Sequence, residues 1–317
     1  MPEIKKDVPL KDHTVFKIGG AAKYFCEAKT AEELKKAVFW ARETGEKFFV
    51  LGAGSNVLVS DKGFDGLVIK NKVASIKLGH GVSKSMIEAE AGAQMARVVA
   101  ESVKAGLAGF EWAIGIPGTI GGSVRGNAGC FGSETKDVIE SVEVFDSERA
   151  ISQKLDSRNC NFSYRHSVFK EKPNLIIISA LLRLRVGDSK KSQNLISEYS
   201  KKRAGTQDIG SKCAGCIFKN VEWSRKDVDK EGLLQKFPEL KPFLGQKSIP
   251  AGFLLDFLGL KGLKMGRAQI SEKHANYFIN LGGASAKEII TLVNTAKEKV
   301  QNHYEILLEE EIQKINC

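Results

Sequence analysis

Seven of the eighteen residues in 115–132 are glycine, in the run GIPGTIGGSVRGNAGCFG, where average usage of about 7% would place one. Ile114, Ile116, Ile120 and Val124 are threaded through this run, and flexible linkers lack such apolar anchors. A stretch of this kind is a packed loop whose backbone must come close to something. Glycine admits positive φ and carries no Cβ, so consecutive N–H groups can converge on an anion. A second stretch of the same kind lies upstream, LGAGSNVLVSD at 51–61. Either loop alone also reads as a tight turn, but two in one chain favour a nucleotide, rich in phosphate and held by backbone.

Bulk composition narrows the setting. A chain of 317 residues has room for two or three domains. No apolar run reaches the ~18 residues of a membrane span, and the opening MPEIKKDVPLKDH has no apolar export core. The six cysteines, at 26, 130, 160, 213, 216 and 317, show no framework spacing and fit the reduced thiols of a cytosol. The expectation is a cytoplasmic chain with no membrane partner. Lys plus Arg exceed Asp plus Glu by 48 − 38 = +10. The densest basic patches, at 201–203 and 170–172, lack interleaved aromatics. A solvated lysine-rich surface explains them first, attraction of small anionic substrates second, and nucleic acid third, so no nucleic-acid partner is expected.

Along the chain, Thr30-Ala-Glu-Glu33 is a capping box. It opens a helix with Leu34, Ala37, Val38 and Ala41 on one face and Gly45 as its stop. The run 48–51 predicts a buried strand leading into the first glycine loop, and 57–69 predicts strand, turn, strand. No helix follows that loop, which argues against a Rossmann dinucleotide fold; the lysine and hydroxyl of a P-loop are also missing. A helix is expected over 94–105, strands over 142–145 and 175–186, and another helix over 193–203. The polar stretch 187–192 reads as a domain boundary, and the charged, proline-punctuated segment 222–247 as an insertion with short helical patterns. The chain should close as β-α-β. A strand at 277–281 leads to a helix capped by Ser285-Ala-Lys-Glu288 that carries Ile289, Leu292, Val293, Ala296 and Val300 on one face, and a strand returns at 304–308.

Further motifs recur in a particular order: HTVFKIGG at 13–20, the loop 51–61 with KGFDG at 62–66, GLAGFE at 106–111, and GIPGTIGG at 115–122 with Asn127-Ala-Gly129. Tyr164-Arg-His-Ser167, Arg203 with Thr206-Gln207, AGCIFKN at 214–220, GLKG at 259–262 and His274-Ala-Asn276 complete the series. Together they resemble the UDP-N-acetylenolpyruvoylglucosamine reductase (MurB) family, the flavoenzymes of peptidoglycan precursor synthesis. The resemblance implies an α+β chain with a two-subdomain FAD-binding fold of the vanillyl-alcohol-oxidase/PCMH type and a C-terminal α+β substrate-binding domain. The subdomains would be 1–71 and 72–190, and the substrate domain 191–317 with its insertion at about 222–247. The short path from Ser167 to the strand at 175 resembles the shorter branch of the family, which lacks an extra substrate-covering loop. A monomer is expected.

The family reaction implies that NADPH gives hydride to non-covalent FAD, which passes it to C3 of the enolpyruvyl ether of UDP-N-acetylglucosamine. The protein must then hold a carboxylate, stabilise charge developing at C2 and protonate C2. By resemblance, Gly52, Ala53, Gly54, Ser55 and Asn56 wrap the FAD pyrophosphate. Gly115, Pro117, Gly118, Thr119, Gly121 and Gly122 would hold the adenine half and ribityl chain. Arg165 would sit beside the enolpyruvyl group, where a guanidinium offers a planar fork to a carboxylate. Glu311 matches the family glutamate, with Glu309 as its rival in the run 309–311. Cys216 stands where the family usually has the serine that protonates C2. A thiol of pKa about 8.5 is mostly protonated at neutral pH and suits that task, though it is oxidisable. Lys219 and Asn220 match positions near the diphosphate and uridine, with Arg203 and Gln207 flanking them; His274 is either a substrate contact or a structural histidine.

Cys213 and Cys216 also spell C-x-x-C, readable as a regulatory disulfide; zinc would want further ligands at matching spacing, so no metal is expected. Val221 and Lys212 depart from family prolines, and 221–250 is longer than usual there. The alternative reading is another FAD oxidoreductase of the same cofactor fold with a different anionic substrate. A nucleotide- or RNA-associated module without redox activity would leave both glycine loops without a purpose.

Overall fold

The computed structural model describes residues 1–79 and 84–317. Its contacts divide the chain into two units. One comprises residues 1–8, 21–54 and 64–205, and the other 9–20, 55–63 and 206–317.

The first unit contains two separate apolar cores. In one, the strands Lys5–Pro9, Ala21–Ala28, Phe64–Asn71 and Phe48–Leu51 lie side by side in that order, the last three pairing in parallel. The helix Ala31–Glu43 makes the crossover between Ala21–Ala28 and Phe48–Leu51. It starts where expected, with the Thr30 side chain accepting from the Glu33 N–H, and it buries Leu34, Ala37, Val38 and Ala41. In the other, an antiparallel sheet runs Ile151–Asp156, Ile139–Asp146, Leu175–Arg183, Met86–Glu90, Ile76–Leu78. The helices Met95–Lys104 and Ile120–Gly126 pack with it through Val98, Val124, Val142, Val144 and Leu182. Residues 189–192 of the polar stretch 187–192 form the first turn of the helix Ser189–Thr206, which stays with this unit through residue 205. Ser192 Oγ donates to the buried Glu111 carboxylate there.

The second unit has one core, centred on the helix Ala286–Tyr304. Its start is doubly capped. Ser285 and Glu288 form the expected capping box, and the Asp61 carboxylate accepts from the N–H groups of Ala286 and Lys287. The strands Lys264–Met265, Ala268–Ile270 and Phe278–Asn280 form a small antiparallel sheet. The segment 222–247 is more than a surface insertion. The helix Lys230–Lys236 is capped by Asp229, a 3-10 turn follows at Pro238–Phe243, and Val228, Leu233, Phe237 and Leu240 enter the core.

One expected element is corrected. The strand predicted over 304–308 does not form. Glu305 turns the chain through a left-handed conformation, φ +62, that ends the helix. Ile306 and Leu308 then fill the core while Leu307 faces out, so the apolar alternation mimics a strand that has no ladder to join. The returning strand is Gln313–Ile315, paired in parallel with Val57–Val59 just beyond the first glycine loop. Among the described residues, no helix is long and apolar enough to cross a membrane.

Candidate active site

The first glycine loop leaves the strand Phe48–Leu51. Gly54 has φ +74, and a Cβ on Gly52 would stand 2.7 Å from Thr119 Oγ1. The missing side chain at 52 is therefore what lets the two glycine loops meet. In the second loop, Gly115 and Gly118, at φ +73 and +149, bend the chain around Pro117 into Thr119. Thr119 caps the helix Ile120–Gly126, its Oγ1 accepting from the Gly122 N–H at 3.4 Å. The Gly121 N–H donates to Ala91 O at 2.8 Å, and a Cβ on Gly121 would fall 2.9 Å from the Ala91 methyl. Gly121 thus permits close packing, and its amide and that of Gly122 already have protein partners. Among the described residues, no acceptor meets the N–H groups of Gly52, Ala53, Gly54, Gly118 or Thr119.

Arg165 sits at the tip of a tight turn. Ser163 and His166 exchange two N–H···O bonds of 3.1 Å, leaving Tyr164 and Arg165 between them. Arg165 has φ +55, a left-handed backbone that costs a non-glycine residue of order 1–3 kcal/mol and persists only where the surroundings impose it. Those surroundings are specific. Arg165 Nη2 donates to Gly129 O at 3.0 Å, and Lys170 Nζ donates to Arg165 O at 2.7 Å. The guanidinium lies 5.2 Å from the centre of the Tyr164 ring. The buried Ser167 Oγ donates to Arg125 O at 2.7 Å, and His166 Nε2 meets Glu171 Oε1 at 2.8 Å. Arg203, on the helix Ser189–Thr206, is buried with its guanidinium 5.9 Å from the Phe131 ring, and Phe131 stacks on Tyr199 at 4.3 Å. A Cβ on Gly115 would lie 3.0 Å from Arg203 Cδ, so Arg203 rests against the second glycine loop.

In the second unit the segment 216–218 is held from both sides. Cys216 bridges Tyr277, and the Ile217 N–H donates to Asn276 O at 2.9 Å. On the other side Phe218 bridges Glu310, and the Glu311 N–H donates to Ile217 O at 2.7 Å. The fully packed Asn276 side chain brackets Phe218, accepting from its N–H at 2.9 Å and donating to its C=O at 2.8 Å. Cys216 and Glu311 therefore sit on neighbouring backbone segments. Asn56, from the first glycine loop, joins the same place: its Nδ2 donates to Glu311 O at 3.2 Å, and its own C=O accepts from the Gln313 N–H. Cys213 and Cys216 are not joined in a disulfide; Ala214 and Gly215 lie between them, Gly215 at φ +76.

The three glutamates at 309–311 are not equivalent. Glu309 pairs with Lys219 at 2.9 Å, a bond that together with nearby Arg225 pulls its pKa below the ordinary carboxylate value. Glu310 lies between Lys297 and Lys314 at 3.2 and 2.9 Å. Glu311 differs in its backbone, whose N–H donates to Ile217 O and whose C=O accepts from Asn56 Nδ2. Lys219 is thus engaged by Glu309. Asn220 Oδ1 accepts from Ala251 N–H at the start of the helix Ala251–Phe257. Ser55 and Gln207 are both half-buried, in the first glycine loop and just past the helix Ser189–Thr206. His274 is structural in its contacts: Nδ1 accepts from Asn276 N–H at 3.2 Å, and the ring packs 4.6 Å from Tyr277. Burial lowers its pKa, outweighing nearby Asp208.

The residues present fit a flavin dinucleotide. Five loop N–H groups lacking protein acceptors are what a pyrophosphate requires, and the buried Trp112 Nε1, on the segment entering the second loop, is another donor with no protein partner. The helix inside the glycine run, the Phe131–Tyr199 stack against Arg203 and the bracketing by Asn276 went unread in the sequence. Only Asn276 left a trace, as a quoted motif residue next to the Cys216 segment's neighbour Tyr277.

A model of the FAD binding domain matches residues 22–150. With the loop geometry, that places the chain among FAD-binding α+β oxidoreductases. A model of the C-terminal domain of UDP-N-acetylenolpyruvoylglucosamine reductase matches 207–315. The chain is 38% identical over 314 residues to the UDP-N-acetylenolpyruvoylglucosamine reductase of Caldicellulosiruptor bescii, covering 98% of this chain and 90% of that one. It is 36% identical over 312 residues to that of Carboxydothermus hydrogenoformans, covering 98% and 93%. The crystal structure of the reductase (MurB) from Thermus caldophilus superposes with a TM-score of 0.78 at 32% identity, covering 99% of this chain and all of that one. The chain belongs to the UDP-N-acetylenolpyruvoylglucosamine reductase family.

Proposed function

We infer that this chain reduces UDP-N-acetylglucosamine enolpyruvate to UDP-N-acetylmuramate with NADPH as the hydride donor, acting as a monomer in the cytoplasm. The observation that carries the reading is the pairing of the Cys216 segment with the Glu311 segment. It sets the backbone that carries a thiol acid next to the backbone that carries a glutamate. When bound, FAD supplies the hydride chemistry. Gly52, Ala53, Gly54, Gly118 and Thr119 hold its phosphates through backbone N–H groups. Ser55, Asn56, Gly115 and Pro117 shape the loops, and Gly121 and Gly122 let the second loop pack closely. Arg165 holds the enolpyruvyl carboxylate and steadies negative charge as it grows on the substrate. The Cys216 thiol gives its proton to C2, and Glu311 polarises that transfer. Lys219, Asn220, Arg203 and Gln207 serve the UDP moiety, and His274 acts through Asn276 rather than on substrate. The split at 71 and 190 into two flavin-holding subdomains and a substrate domain is part of the same reading, supported by the two apolar cores of the first unit.

An anaerobic flavin spectrum tests this. NADPH should bleach the bands of the holoenzyme, and UDP-N-acetylglucosamine enolpyruvate should restore them. Bleaching without recovery would leave an FAD oxidoreductase of another substrate, and failure to bind flavin would overturn the cofactor assignment.

A further inference from the structure

Asn127 is wholly buried and adopts a left-handed backbone, φ +43, at the end of the helix Ile120–Gly126. Asparagine tolerates that conformation better than other side-chain-bearing residues, yet its amide does more than end a helix. Its Nδ2 donates to Ser163 O at 2.8 Å and to Glu134 Oε2 at 3.1 Å, and its Oδ1 accepts from the Lys136 N–H at 3.0 Å. Ser163 is the first residue of the turn whose tip is Arg165. The far side of that turn is tied to the same helix end, by Ser167 Oγ on Arg125 O at 2.7 Å. Between the two ties, Gly129 O receives Arg165 Nη2 at 3.0 Å. Three consecutive features of the glycine run, Arg125, Asn127 and Gly129, thus grip a turn 36 to 42 residues further along the chain.

We propose that Asn127, seconded by Ser167, is a positioning residue for Arg165: it imposes the unfavourable backbone at the turn tip and aims the guanidinium. The proposal rests on the reading of Arg165 as the group that holds the substrate carboxylate. Without the amide, Ser163 O keeps only the His166 N–H from within the turn, and the turn loses its tie to the helix end and is free to relax toward a right-handed backbone at 165. A displacement of about 1 Å in a group that meets the reacting substrate costs up to about a hundredfold in rate. The second glycine loop then has two tasks, one toward the cofactor at its start and one toward Arg165 at its end.

The test compares the two half-reactions of the holoenzyme by anaerobic stopped flow, in Asn127→Gly, which keeps the left-handed backbone accessible, in Ser167→Ala, and in Arg165→Ala. The expected result is flavin reduction by NADPH within about twofold of the unaltered protein in all three, since misplacing Arg165 touches only the enolpyruvyl step. Reoxidation by saturating enolpyruvate should fall about tenfold to a hundredfold in Asn127→Gly and less in Ser167→Ala. If Arg165→Ala is slow in reoxidation while both other variants match the unaltered protein, positioning is refuted and the role of Arg165 stands. Unimpaired Arg165→Ala removes that role and the proposal with it. Equal slowing of both half-reactions makes Asn127 a structural residue only. Should Asn127→Gly fail to fold, Ser167→Ala decides.

Discussion

The turn at Arg165 and the segment at Cys216 solve one problem, fixing the backbone of a candidate site residue, by opposite means. Arg165 occupies a disfavoured backbone and is kept there by side chains: Asn127, Ser167 and Lys170 each contribute a single bond to a carbonyl. Cys216 lies on an extended segment flanked by backbone on both sides, with bridges to Tyr277 and Glu310 at its ends. The first arrangement is adjustable one side chain at a time. The second is a pair of isolated bridges, and its weak point is the one side chain that takes the place of a backbone partner, Asn276. Preorganisation by backbone resists substitution; preorganisation by side chains localises the risk.

The largest effect expected is on chemistry. General-acid catalysis is worth about a hundredfold to ten-thousandfold, so Cys216→Ala should slow flavin reoxidation by enolpyruvate by about a thousandfold while NADPH still bleaches the flavin; normal turnover would remove the thiol from the mechanism. Next, Asn276→Ala strips both partners from the buried Phe218 backbone, at about 2–4 kcal/mol, against about 1 kcal/mol for Ser167→Ala. Denaturant midpoints with unchanged slopes would measure both, and equal losses would break the contrast between bridged segment and clamp. A smaller effect follows pH. Burial holds His274 below its ordinary pKa, so its neutral form stabilises the fold above the unfolded value of about 6.5, and that contribution is lost as pH falls from there toward the folded value. The melting temperature should therefore drop more steeply below about pH 6.5 than in His274→Asn, and parallel profiles would take His274 out of the support for Asn276. The smallest effect belongs to Glu309→Gln. Half-exposed ion pairs are worth about 0–1 kcal/mol, so stability should barely move and reoxidation should stay intact, whereas Glu311→Gln should slow it. The reverse pattern would exchange the two glutamates.

Much of this was legible where local chemistry decides the outcome. Thr30 and Ser285 announce their helices because capping is a four-residue matter. The glycine loops stand out because few residues fit where backbone must approach backbone, as Gly52 does at Thr119. The helix Ile120–Gly126 was illegible because three of its seven residues are glycine, a composition with poor helix propensity. It forms because Thr119 starts it, Asn127 ends it, and Ile120 and Val124 are buried beneath it. The strand Gln313–Ile315 is three residues long and is defined by a partner near the other end of the chain; no local pattern encodes that. The false strand at 304–308 shows the converse, alternation without a neighbour. At the candidate site, residue identities were readable from motifs. What each backbone amide bonds to was not, and so the difference between Gly121, packed on Ala91, and Gly52–Gly54, with donors in hand, emerges only in three dimensions.

The parallel pairing of Gln313–Ile315 with Val57–Val59 also sets an order of events during synthesis. The second unit draws residues 9–20 and 55–63 from the early chain, and Val57–Val59 must wait for its strand partner until residues 313–315 have been translated. Such distant contacts form slowly and leave apolar surface exposed meanwhile. During synthesis the edge of Val57–Val59 that Gln313–Ile315 will cover therefore stays open for that whole interval, exposed to pairing elsewhere before its true partner arrives.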